Sequence, residues 1–180
     1  MPTPTYDLLG SVEVTQNNSI TTISFTSWNT SYTHLVLIGR TSGRNDPADT
    51  AYWWNQGFKT TSGSITRLTL RYNDFGTPGN DWDFVDTGGQ ANGGYHAGTG
   101  ATDTFGVSYA LMPRANDTVS KGVFFDGNQQ FLGQTSVGEL YSRTSYHVRP
   151  DTAITTLEIT PQAQYFARFT RVYLYGLKNS

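Results

Sequence analysis

The densest set of metal-ligating and acid–base groups lies mid-chain, in Asp81-Trp82-Asp83-Phe84-Val85-Asp86. Alternating aspartates can project from one side of an extended segment and offer oxygens to calcium, and Asp74 and Asn80 are close in sequence. The residue order of an EF-hand loop is not met, so the plainer reading is a solvated acidic loop whose aspartates bond their own backbone. By residue type Asp81 and Asp86 also suit a glycosidase pair, which only the distance between the carboxyls would decide. With no cysteine, thiol catalysis and cysteine-based zinc sites are excluded. Of the three histidines, His34 opens an apolar run and reads as packed or capping. His96 reads as solvated and His147 as a strand end. Thr61-Ser62-Gly63-Ser64 lacks the flanking glycines of a nucleophile elbow. Gly88, Gly89, Gly93 and Gly94 have no Lys-Ser/Thr pair behind them, so they do not form a phosphate cradle. The expectation is a non-enzyme with no assigned catalytic residue and no cofactor.

The aromatic residues are more informative than the polar ones. Tyr52-Trp53-Trp54 sits among Asp, Asn and Gly in a segment that does not read as a strand, and Trp82 and Tyr95 lie in a glycine-rich stretch. Large rings on loops are poorly placed in water unless something covers them. Three readings stay open. The rings anchor a protein interface, they stack on sugars, or they fold back beneath their own loops.

These groups must be carried by β structure. Charged residues are only 14% of the chain and aromatics another 14%, with Thr, Ser, Asn and Gly filling much of the rest. Thr and aromatic residues suit pleated surfaces, and Gly and Asn suit turns. The pattern predicts about eight to ten strands. Leu8 to Val14 is the first, with Leu8, Val12 and Val14 on one face. Ile20 to Phe25 follows, and His34 to Gly39 is apolar on both faces, as in a strand covered on both sides. Ile65 to Tyr72 alternates, with Leu68, Leu70 and Tyr72 inward. Residues 73–101 read as a long glycine-rich loop excursion with one short strand at Trp82 to Val85. Strands resume at Thr104 to Leu111, Val119 to Phe125, Val137 to Arg143, Ile154 to Thr160 and Arg168 to Leu177, with Asp126-Gly127-Asn128 among the turn signals. The result is an all-β, antiparallel β-sandwich of jelly-roll type: one domain over residues 1–180, with residues 1–6 as an extended N-terminal arm.

The bulk numbers agree with one globular unit. A chain of 180 residues buries roughly 70% of the surface its unfolded form exposes, so it needs no disulfide or metal staple. Twelve basic against fourteen acidic residues give a net charge of -2, without the basic excess that nucleic acid asks for. No apolar run is long enough to span a membrane, and the start lacks the basic-then-apolar order of a secretion signal.

Three opening segments, Tyr6-Asp-Leu-Leu-Gly-Ser-Val-Glu-Val14, Ser19-Ile-Thr-Thr-Ile-Ser-Phe-Thr-Ser27 and Tyr32-Thr-His-Leu-Val-Leu-Ile-Gly39, together resemble the start of a group of small virion proteins of tailed bacteriophages, notably those of cyanobacteria. The ending, Arg149-Pro-Asp-Thr-Ala-Ile-Thr-Thr-Leu-Glu-Ile-Thr-Pro161 followed by Phe169 to Lys178, is similar as well. The resemblance covers roughly the first 40 and last 30 residues, and its motifs are strand signatures. It implies a jelly-roll body on the virion, either as a capsid decoration (cement) protein or in a tail appendage. It also implies a homotrimer with the major capsid protein as partner and no catalytic residue to carry over. The alternative is a lectin-like module of a tail appendage whose aromatic loops contact host polysaccharide. The segments at residues 46–59 and 73–101 depart from the group.

Overall fold

The computed structural model describes residues 6–17, 19–26, 28, 31–44, 53–60, 64–73, 79–88, 91–98, 105–119, 121–130, 139–148, 153–161 and 165–178. Among them no helix occurs, and thirteen strands do. The first strands are β1 (Tyr6–Glu13), β2 (Ile23–Thr26), β3 (His34–Arg44), β4 (Trp53–Thr60) and β5 (Ser64–Asn73). The middle of the chain gives β6 (Gly79–Gly88), β7 (Ala91–Gly98), β8 (Gly106–Met112) and β9 (Lys121–Gln130). The last are β10 (Glu139–Val148), β11 (Thr156–Pro161), β12 (Tyr165–Phe166) and β13 (Arg171–Leu177).

The strands build an all-β, antiparallel architecture consistent with a β-sandwich. One layer has the order β1-β13-β3-β8-β9, antiparallel throughout. Beyond β9 it continues through β10, β5 and β6. The second layer begins with the antiparallel pair β2-β11 and runs on through β4 and β7. β3 is long enough to serve both layers. Its residues 34–41 pair with β13 and β8, while Ser42 and Gly43 make a short parallel contact with β7.

The core lies between the layers. Ile23 and Phe25 of β2 and Leu157 and Ile159 of β11 pack toward Leu35, Leu37, Ala110, Phe125 and Leu174 of the opposing layer, all of them buried. The alternation in β8, where Gly106, Ser108, Ala110 and Met112 are buried while Val107 and Tyr109 are exposed, is the period-two signature of a half-buried strand. Each large side chain that leaves water here contributes roughly 1.5–3 kcal/mol before entropy is counted.

Several expectations change. Leu8, Val12 and Val14 do not share a face. The register of β1 against β13 skips Leu9, setting Leu8 opposite Tyr175 and Gly10 opposite Leu174. One extra residue reverses the side on which every earlier side chain points, so Leu8 is exposed while Val14 is buried. Asp126-Gly127-Asn128 does not turn the chain. It lies inside β9, held on both sides by ladders to β8 and β10. The stretch 73–101 is not one loop, for it contains β6 and β7. Gly costs about 0.5–1 kcal/mol relative to Ala in a strand. Ladder pairing of β6 with β5 and of β7 with β4 opposes that penalty. The segment around Trp53 and Trp54 likewise forms β4, between β11 and β7. The proposed arm at residues 1–5 lies outside the described residues, and Tyr6 already belongs to β1.

Candidate interaction surface

One face of the β1-β13-β3-β8-β9 layer packs on the core, and the other is open. The open face can be built row by row from the register. One row runs Leu8, Tyr175, Val36, Leu111, Phe124. The next runs Ser11, Tyr173, Ile38, Tyr109, Asp126. The third begins at the rim with Glu13, Arg171, Arg40 and Val107. Six of the eight large hydrophobic residues that are exposed among the described residues lie on this face: Tyr6, Leu8, Ile38, Val107, Tyr109 and Phe124, each 39–62% exposed. Scattered single apolar residues need no explanation, but a contiguous apolar face on a rigid sheet marks an interaction site.

β3 explains why the face exists. Its sequence is apolar on both sides, the composition of a strand with a layer on each face. Leu35 and Leu37 meet the core as that pattern requires. On the other side Val36 is buried among its neighbours, yet Ile38 stands 39% exposed. The expected second cover is therefore not supplied by the described part of this chain.

The electrostatics of the face are nearly neutral. At the rim the Arg171 guanidinium donates to Glu13 Oε1 at 2.9 Å, and Arg40 sits 4.0 Å from the centroid of the Phe105 ring. On the opposite side of β1 from this face, Lys178 Nζ lies 3.8 Å from Asp7 Oδ2, which also accepts from Tyr32 Oη at 2.9 Å. Burial, then the neighbouring Tyr6 and Asp126, raise the Tyr109 phenol above the usual phenol range, so it stays uncharged at neutral pH. The Tyr32 phenol is raised too, chiefly by its hydrogen bond to Asp7. Tyr173 and Tyr175 stack with centroids 6.4 Å apart, a flat aromatic step on the sheet.

The aromatic residues singled out from sequence fall into two places. Trp53 and Trp54 of β4 and Tyr95 of β7 belong to one strand pair, in which Trp54 is opposite His96 and Asn55 opposite Tyr95. Trp82 is elsewhere, on β6 at the far end of the other layer, opposite Leu70. Tyr52 lies outside the described residues. The backbone of these four is strand, so they are not loop tips; pairing overrode the turn-rich composition. The register also extends the rows of the open face. From Phe124 it continues through Ser145 and Leu68 to Phe84, and from Asp126 through Arg143 and Leu70 to Trp82.

The register divides the three aspartates of β6 by parity. Asp81 and Asp83 occupy alternate positions of β6, opposite Arg71 and Thr69, whereas Asp86 has the other parity and is opposite Thr66. All three lie in the ten-residue strand β6. Among the described residues no cluster of three or more His, Asp or Glu is placed to hold a metal. His34 caps as expected, its Nδ1 accepting from the Arg114 N–H at 3.0 Å. Sequence reading missed Lys121, which is buried at the start of β9 with Nζ donating to the Val119 carbonyl at 2.9 Å. It missed the open face as well, whose signal was the two-sided apolar run of β3. A scan against family models and a search of curated proteins both return no match to this chain.

Proposed function

We propose that this chain is a non-enzymatic structural protein of a virus particle, a decoration protein that binds the head of a tailed bacteriophage and bridges its major capsid protein. The observation that supports this reading best is the open apolar face on a sheet stiffened by ladder pairing across five strands. A rigid plate with one sticky side suits a contact that must bear load. Binding only to the assembled shell would shift stability toward the closed particle by mass action. The resemblance of the first and last strands to phage virion proteins adds to it. The test images particles made with and without this chain and measures their survival on heating and in low salt. The expected result is ordered copies on the head surface and lower tolerance without them. Heads that carry no copies, or that are equally robust when it is missing, would sink the reading.

A further inference from the structure

We infer that the open face of the β1-β13-β3-β8-β9 layer is covered by the same face of a second copy of this chain. The inference rests on the reading of that face as an assembly surface, and it names the partner.

Four observations choose a second copy. First, β3 has the composition of a strand buried on both sides, so the missing cover must be as flat and apolar as a sheet. The same face on another copy has that shape. Second, the charged residues in the rows of this face are Glu13 and Asp126 against Arg171 and Arg40, with Arg171 paired to Glu13, so the face holds no excess of one sign to recruit an oppositely charged partner. A charge-compensated surface meets itself without repulsion. Third, the residue mixture of Tyr, Phe, Ile, Leu and Val inside, with Arg at the rim, matches homodimer interfaces, which are more apolar than transient ones. Fourth, the size is sufficient. Five strands ~4.8 Å apart and about seven residues long cover on the order of 500 Å2, so two faces bury about 1,000 Å2, the threshold for a specific contact.

The contact is isologous: each residue of one copy meets the patch that the other offers back. It therefore closes a pair and not a ring of three, unlike the trimer that the resemblance implies.

The experiment measures the mass of the full chain in solution, for the unaltered protein and for Phe124→Glu and Tyr109→Glu. Twice the 19.9 kDa chain mass, falling to the single-chain mass in both variants, is the expected result. A melting curve on each variant checks that it folds. A second arm keeps the test open if a variant misfolds. The chain has no cysteine, so Phe124→Cys or a control Val119→Cys provides a single thiol for a short bis-maleimide linker. Val119 is exposed but belongs to none of the five strands of this layer. Cross-linked pairs should form through position 124 and not through position 119. A lone chain at tens of micromolar, an oligomer unchanged in both glutamate variants, or equal cross-linking at the two positions would overturn the inference. Failure here is separable from failure of the proposed function. A single-chain protein that still decorates heads removes only the pairing, and a pair that ignores heads removes only the virion role.

Discussion

At the scale of single residues, small groups set tight tolerances. Ser108 is buried, and its Oγ has no hydrogen-bond partner among the described residues. Such an orphan hydroxyl carries its desolvation penalty in the folded state. Ser108→Ala is expected to raise stability by about 1 kcal/mol, read from the midpoint of chemical denaturation. A lower midpoint would mean that the hydroxyl has a partner after all. A Cβ on Gly39 would lie 2.6 Å from that same Oγ, so glycine is needed there for close strand approach. Tyr109 provides a pH test. Its phenol is raised, first by burial and then by Tyr6 and Asp126 beside it, with Tyr173 of β13 and Ile38 of β3 in its row. A raised phenol means that the folded state holds its proton more tightly than the unfolded chain. The associated stability is complete below the ordinary phenol value of about 10 and is lost as pH rises through the folded value. Tyr109→Phe should flatten that alkaline loss in a series of melts, while a parallel loss in the variant would assign it to Tyr32 and other phenols.

Elements decide which side each residue sees. The bulge at Leu8 and Gly10 sets the exposure of half of β1, and nothing in the alternation of Leu8, Val12 and Val14 announces it. Leu9, the skipped residue, packs partly buried against the core. Deleting Leu9 would straighten the strand and leave Leu8 opposite Tyr175 on the open side, at the cost of that packing. The expected outcome is a folded protein with a melting temperature several degrees lower, about 4–8 °C per kcal/mol for a domain near 100 residues and less for this longer chain. An unchanged melt would show that the bulge is dispensable. The same scale explains the middle of the chain. Gly and Asp discourage a strand on local propensity, but a strand's stability comes mostly from its neighbours, so β6 and β7 form against β5 and β4 where their sequences argue for loops. Asp81 to Asp86 carried a hint of this, since a polar–apolar alternation runs through it.

For the whole molecule, the two faces of one sheet lead different lives. Leu174 points into the core and Ile38, one strand away, points to the open side. Leu174→Ala is expected to cost about 2–5 kcal/mol in denaturation experiments, through lost transfer energy and a cavity. Ile38→Ala should cost under about 1 kcal/mol in the isolated chain. Comparable losses at both sites would mean that the open face is covered within the chain. Much of this plan was readable beforehand. An all-β chain follows from composition and from the clean alternation in segments such as 154–160 and 171–177, because a period of two is a local property of an extended backbone. The packed-or-capping reading of His34 followed from its place at the start of an apolar run, and its Nδ1 accepts from the Arg114 N–H. The layer opposite a given side, and whether any layer stands there, is not a local property. It depends on which strands meet across the sandwich and on a single-residue slip in β1, and both are settled by contacts between residues more than a hundred positions apart. So the sequence by itself determined that strands would form and which residues alternate within most of them. Only the tertiary structure decided that Tyr6, Leu8, Ile38, Val107, Tyr109 and Phe124 share one uncovered face, because a side chain's exposure depends on what packs above the sheet and not on the strand that carries it.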